Sequence, residues 1–300
     1  MRRYFLTLFS LFFALLFISC DKSDNDSTFI PQAKDSSTFS INFIDVGQGD
    51  SALVECDGRY MLIDGGDKVA GDRVYFTLVE NNIQHLDILA ISHFHDDHIG
   101  GLTKALCYAS KIDKTIANAN YREDSKTFKE VEHQLGINGS QITVPNIGDK
   151  FKLGSADIEV VDVAAESAND SLVLLITYGE TRFLFTGDIE YNAQTRISDK
   201  YQNENDDPYV VDLIKMPHHG SYTGSLYRFI RTFNPDYAII SVGEGNLYRH
   251  PHEKTLDLLE DADLKVYRTD INGDILVRSN GKELSIETRK WKINRESNIR

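Results

Sequence analysis

Cysteine is scarce in this chain, with three in 300 residues. One of them, Cys20, ends the N-terminal apolar run, which leaves Cys56 in a strand pattern and Cys107 in a helix pattern. Neither has the histidine and aspartate surroundings of a metal-ligating thiol. An oxidising compartment would permit a bridge between them, but two buried free thiols are the expected state. Positive charge is also short: 32 Lys and Arg stand against 46 Asp and Glu, for a net charge of -14. That excludes a broadly basic surface for coating nucleic acid. It leaves a nuclease open, because divalent cations can supply the positive charge that a scissile phosphate needs. Apolar runs long enough to build a membrane channel are missing as well, so the chain is not expected to transport DNA by itself.

The N-terminus carries the one strongly apolar segment. Arg2 and Arg3 precede the run Phe5 to Ile18, and a small residue, Ser19, stands directly before Cys20. The pattern resembles a secretory signal ending in a bacterial lipoprotein processing site, with Cys20 as the lipidated residue. The paired arginines faintly resemble a twin-arginine signal, but the short charged region and strongly apolar core favour ordinary secretion. Residues 1–19 are therefore expected to be removed, which would shift the net charge to -16. Residues 20–38 are polar and acidic and read as a tether, since they cannot bury enough surface to offset the entropy of ordering. The expected product is a cell-envelope lipoprotein, periplasmic or on the outer surface, that meets the membrane only through its lipid. Residues 39–290 form one domain and 291–300 a tail.

Within that domain, strand and turn signals dominate. Phe39 to Val46 reads as a strand leading into Gly47-Gln48-Gly49-Asp50-Ser51. Two further strands, Ala52 to Cys56 and Tyr60 to Asp64, flank an Asp57-Gly58 hairpin turn. A helical pattern covers about 72–82, another 98–108, and a polar one 122–135, with a short strand at 115–117 and strands from 141 to 163. In the second half, Ser171 to Tyr178 pairs with Thr181 to Phe185 across Gly179-Glu180. That hairpin ends in Thr186-Gly187-Asp188. The strand Val210 to Lys215 ends in Pro217-His218-His219-Gly220-Ser221, and Tyr237 to Ser241 ends before Asn246, Tyr248 and His250. Three successive apolar strands thus deliver polar residues beyond their C-terminal ends, where layered α/β folds place their sites.

The richest stretch is His93-Phe94-His95-Asp96-Asp97-His98-Ile99-Gly100-Gly101, which follows the apolar run Leu86 to Ile91. Five metal-capable side chains in six residues, on a strand-to-helix loop, point to metal. In an extended loop His93 and His95 face the same way, while Asp97 and His98 lie where the chain turns into the helix. A two-metal hydrolase needs ions roughly 3.5 to 4 Å apart and a bridging carboxylate. Here His93 and His95 would hold the first ion and Asp97 and His98 the second. Asp188 would bridge them, and His219 or His218 would complete the second site. Metal-bound water would be the nucleophile, so none is required from Ser or Cys. Asp188 has a plainer alternative as the cap of a helix beginning near Glu190.

The run His93 to His98 matches the HxHxDH signature of the metallo-β-lactamase superfamily, and Thr186-Gly187-Asp188 matches its later bridging aspartate. Asp45 to Ser51, Asn169 to Leu174, His218 to Ser221 and Asn246 to Pro251 look like the soluble hydrolase domain of the ComEC DNA-uptake proteins, and more loosely like phosphorylcholine esterase. The resemblance covers about Phe39 to Arg289. It implies a four-layer αββα sandwich with a dinuclear zinc or manganese site at one edge of the paired sheets. One departure stands out. The histidine that many members place between the two motifs is missing, because His133 lies in the polar helix pattern and reads as a surface residue. By the ComEC-like pattern that place falls at Asn169-Asp170, so Asn169 joins the metal candidates and Asp170 the candidates for substrate contact.

Around this core, Asp50 and Ser51 are candidates for orienting ligands, and Ser221 and Asn246 for supporting ligands or touching substrate. Lys215, Tyr248 and His250 are candidates for stabilising charge on the substrate or protonating the leaving group, alongside Asp97. The expected activity is that of a phosphodiesterase or nuclease, with DNA among its possible substrates. Two alternatives remain: a hydrolase of another ester or amide (phosphorylcholine ester, lactone or β-lactam), and a surface binding protein that keeps the fold without catalysis. No segment indicates a protein partner.

Overall fold

The computed structural model describes residues 38–118, 125–163, 166–202 and 209–290. The proposed signal, most of the tether and the C-terminal tail lie outside them. Alternation makes the first strand: β1 (Phe39–Phe43) buries Phe39, Ile41 and Phe43 and half-exposes the residues between. β2 (Ala52–Cys56) and β3 (Arg59–Ile63) form the expected hairpin. Asp57 and Gly58 turn it with φ of 53° and 74°, the signs a two-residue type I′ loop needs. β4 (His85–Ile91), β5 (Lys111–Ala117) and β6 (Ile142–Thr143) follow in parallel.

A second sheet then begins. β7 (Lys150–Leu153), β8 (Ala156–Asp162), β9 (Val173–Tyr178) and β10 (Thr181–Phe185) are antiparallel neighbours. β11 (Leu213–Lys215), β12 (Tyr237–Ile240) and β13 (Lys265–Arg268) extend the sheet in parallel from β10. β14 (Asp274–Ser279) and β15 (Leu284–Arg289) return to the first sheet, against β1. The result is an eight-stranded and a seven-stranded sheet, each half antiparallel and half parallel.

Three apolar clusters define the layers. Phe39 and Phe43 of β1 stack on Phe183 and Phe185 of β10 at 4.9 and 5.6 Å, joining the inner faces of the two sheets. Burying each such ring contributes roughly 1.5–3 kcal/mol. The outer face of the first sheet packs against α1 (Gly71–Glu80), α3 (Leu102–Tyr108) and α4 (Lys126–Ile137). Between α1 and α3 in the chain lies α2 (Asp96–Ile99), a single turn. The second sheet is covered by α5 (Tyr191–Tyr201), α6 (Tyr227–Phe233) and α7 (Glu253–Asp261). Helix, sheet, sheet, helix is the expected αββα sandwich. Among the described residues no helix is long and apolar enough to cross a membrane.

Several expectations change in detail. The 98–108 helix is two pieces, α2 and α3, separated by Gly100-Gly101, the poorest helix formers in the stretch. The strand expected from Val210 starts only at Leu213, because the Val211 N–H donates to the Phe233 carbonyl at 2.9 Å, outside the ladder. Cys56 and Cys107 are both free as expected, but Cys107 is exposed on α3 and not buried.

Candidate metal centre

Parallel strands from both sheets end at one edge. β3 delivers Asp64, β4 delivers Ser92 and His93, β10 delivers Asp188, β11 delivers His218 and His219, and β12 delivers Ser241. Backbone hydrogen bonds lash the first-half loops together: Asp50 N–H to the Asp97 carbonyl at 3.1 Å, Gly65 N–H to His98 at 2.6 Å, and Gly66 N–H to Asp50 at 2.8 Å. Gly49 is needed for this closeness. Its φ is 136°, and a Cβ there would lie 2.2 Å from the Asp97 carbonyl oxygen.

The hub is the carboxylate of Asp188, which is buried. Its Oδ2 lies 3.3 Å from His98 Nε2, 3.4 Å from His219 Nε2, 3.9 Å from His218 Nε2 and 4.0 Å from His93 Nε2. Asp97 Oδ2 is 3.2 Å from His219 Nε2, and His93 Nε2 is 2.9 Å from His95 Nδ1. His93, His98, His218 and His219 are therefore gathered around the Asp188 carboxylate, with His95 joined to it through His93 and Asp97 through His219. Asp188 does not cap α5, whose cap position is Glu190. Its backbone N–H is held instead by the Ser171 hydroxyl at 2.9 Å.

The outer nitrogens are fixed from behind. His98 Nδ1 faces Asp64 Oδ2 at 2.9 Å, and Asp64 also takes the Ser92 N–H and hydroxyl at 2.7 and 2.6 Å. His219 Nδ1 donates to the Ser241 carbonyl at 3.0 Å and lies 3.3 Å from Asp50 Oδ1. These contacts fix a proton on each Nδ1 and turn each Nε2 towards Asp188. His218 and His219 both have positive φ, 49° and 54°. Each such backbone costs on the order of 1–3 kcal/mol and is held only by its surroundings.

Charge is strongly coupled here. Burial opposes ionisation of His98 and His219, but Asp188 outweighs it and holds both well above the usual histidine range. Asp188 is held well below the usual carboxylate range, because His219 and His98 overcome its burial. Burial, with His98 nearby, keeps His93 well below its ordinary value.

Other candidates sit differently from expectation. Lys215 is buried beneath the centre and pairs with Asp50, so it reaches the ligands through Asp50 and not the open face. Asp170 spends Oδ2 on the N–H groups of Glu166 and Ser167 at 2.6 and 3.0 Å, which makes it a loop clamp. Ser221 caps the following turn through the Thr223 N–H. Asn246 holds its own loop, donating to the carbonyls of Gly243 and His250 and accepting the His250 N–H. Ser51 donates to the Asp64 carbonyl at 3.1 Å, and Asn169 is half-buried and accepts the Ser171 hydroxyl on its carbonyl. His133 is exposed on α4. Tyr248 lines an open cleft of ≈ 680 Å³ with Gln48, Asp96 and Asp97. Burial, then His219 and His218, push the half-buried His250 down to about 4.

Sequence reading missed Asp64, Ser92, Ser171 and Ser241. For Asp64 a signal existed: an aspartate closing an apolar strand directly before Gly65-Gly66.

The donor set suits divalent cations. Imidazole nitrogens and carboxylates converge, carboxylates outnumber the buried lysine, and Asp188 Oδ1 is buried with no hydrogen-bond partner among the described residues. Two sheets bearing such a cluster at their common edge define a metal-dependent hydrolase. The chain belongs to the metallo-beta-lactamase superfamily, whose family model matches residues 44–244. Within it the chain falls in the ComEC-like branch. It is 30% identical over 266 residues to ComE operon protein 3 of Bacillus subtilis (strain 168), covering 81% of this chain and 33% of that protein. It is 25% identical over 248 residues to Competence protein ComA of Neisseria gonorrhoeae, again 81% of this chain and 33% of that protein. The chain thus spans about a third of the length of these relatives. In fold it is similar to the metallo-beta-lactamase fold protein YhfI from Bacillus subtilis, with a TM-score of 0.52 and 14% identity over 81% of this chain and 100% of that one.

Proposed function

We propose that this hydrolase is a phosphodiesterase or nuclease working with two divalent ions, zinc or manganese. The observation that carries the reading is the single Asp188 oxygen lying within 4.0 Å of the Nε2 atoms of His93, His98, His218 and His219. His93, His95 and Asp188 would hold one ion, and Asp97, His98, Asp188 and His219 the other, with His218 and Asn169 at the margin. Ions held there would supply Lewis acidity and activate water at neutral pH. Asp64, Asp50 and Ser241 keep the imidazoles oriented, and Lys215 keeps Asp50 ionised. His250 and Tyr248, on the open side, are placed to meet the substrate.

A buried lysine cannot itself receive the substrate, so the charge on a phosphodiester would be met by the ions. This suits an acidic protein. A similarity to Competence protein ComA, and to an exodeoxyribonuclease YycJ of Bacillus anthracis at 27% identity over 121 residues, 40% of this chain and 43% of that one, supports DNA as a substrate class. We further propose export and anchoring through a lipid on Cys20, on the sequence pattern alone. The purified protein given zinc or manganese is expected to hydrolyse bis(p-nitrophenyl) phosphate and single-stranded DNA, and His95→Ala to abolish both. Inactivity on every member of a broad phosphodiester panel, with activity on nitrocefin or a lactone, would overturn it. Radiolabelled palmitate incorporation that survives Cys20→Ala would overturn the anchor.

A further inference from the structure

His250 stands at the junction of a run of rings on the open lip of the centre. Its ring centroid lies 5.5 Å from His218 and 6.2 Å from His219, on the side of the proposed ions. On one flank it stacks on Tyr248 at 5.6 Å with an interplanar angle of 23°. On another it meets His252 edge-on at 4.8 Å, and His252 meets Tyr222 at 5.1 Å. Both terminal rings face solvent, Tyr248 at 65% exposure and Tyr222 at 58%.

These rings are exposed but not loose. Asn246 fixes the backbone of His250 from both sides. The His252 N–H donates to the Gly220 carbonyl at 3.0 Å, and His252 Nδ1 accepts the Tyr222 N–H at 3.1 Å. Two aromatic faces on fixed loops therefore end a run of rings that passes His218 and His219 at His250. Charge separates the two walls of the opening. Below Tyr248 the cleft is lined by Asp45, Asp67 and Asp96, and its Arg73 is already paired with Asp274. The lip itself carries exposed Arg249 and Lys254, the latter 5.8 Å from the Tyr222 ring centroid. A polyanion is repelled by the first wall and meets a balanced charge on the lip, where exposed Glu244 and Glu253 stand near Arg249 and Lys254.

We propose that Tyr248 and Tyr222 stack the nucleobases on either side of the scissile phosphodiester of single-stranded nucleic acid. The proposal rests on the phosphodiesterase reading above and names its substrate. Stacking on such platforms is indifferent to base identity, because every base has a π-face. In a duplex those faces are covered, so single strands are selected.

The test compares a short oligothymidylate with an abasic oligomer of the same length, by turnover and by fluorescence anisotropy without turnover. Wild-type protein is expected to favour the oligothymidylate at least about ten-fold in KM and in binding. Tyr248→Ala and Tyr222→Ala should each shrink that ratio towards one, and Tyr248→Phe and Tyr222→Phe should keep it. Equal KM for the two oligomers in the wild type overturns the stacking site while leaving the phosphodiesterase reading intact. Base-dependent binding lost in the alanine variants, without turnover of either oligomer, does the reverse. Base-independent binding displaced by tetramethylammonium would also overturn the proposal, giving Tyr248 to a cation.

Discussion

The floor of the metal centre and its rim come from neighbouring segments of the same loops, yet they are built in opposite ways. On the floor, Asp50, Asp64, Ser92, His98, Lys215 and His219 are all buried, and the hydrogen bonds of Asp64 and Ser241 assign a proton to each imidazole they touch. On the rim, Leu247 is 97% exposed, Val69 91% and Tyr248 65%. Leu247 and Val69 project into solvent, and Tyr248 rests on His250 with the rest of its ring open. The floor holds charge in a rigid frame, where a misplaced nitrogen would lose an ion. The rim leaves apolar and aromatic surface free, where a substrate can cover it. Substitutions should therefore separate cleanly, the floor governing metal and stability and the rim governing only which molecule is cut.

The largest effect is expected at the hub. Asp188→Ala should cut kcat/KM on bis(p-nitrophenyl) phosphate by well over the ~100-fold that loss of a supporting residue costs. An Asp188→Ala enzyme within ten-fold of wild type would erase the distinction between floor and rim. Next comes Lys215→Met, which strands the Asp50 carboxylate in the interior. It should lower unfolding stability by about 3–5 kcal/mol in urea titrations, and adding Asp50→Asn should recover part of that. Asp64→Ala leaves His98 Nδ1 to the Ser92 hydroxyl at 3.2 Å and should weaken metal affinity about 10–100-fold, read by competition with a chromophoric chelator. Chelation of the wild type should then lower the melting temperature by about 5–10 °C, restored by added ion. The smallest change is expected on the rim, where Leu247→Ser should move stability by less than about 0.5 kcal/mol.

The candidate ligands were legible because metal chemistry demands particular side chains at close spacing. His93, His95, Asp97 and His98 announce themselves in one loop, and Asp188 and His219 lie just past strands that any apolar pattern reveals. The αββα layering was implied by the family resemblance that these motifs carry. What the pattern hid was side-chain direction. Asp170, Ser221 and Asn246 sit beside the site, but their polar atoms turn back to their own loops, as short polar side chains readily do. Lys215 ends a strand of apolar residues and could have faced the opening. Only the pairing of the two sheets decides that it points beneath, at Asp50. Asp64 was passed over for the complementary reason: one aspartate before two glycines looks like a turn until His98, from the short helix α2, arrives against it.

The central claim is that one carboxylate joins two ion sites, and counting ions tests it most directly. Inductively coupled plasma mass spectrometry on purified wild-type protein, saturated with zinc or manganese and then desalted, should return two ions per chain. The Asp188→Ala protein, folded by circular dichroism, should return one or fewer. A single ion in the wild type, or an unchanged count in Asp188→Ala, would contradict the shared site.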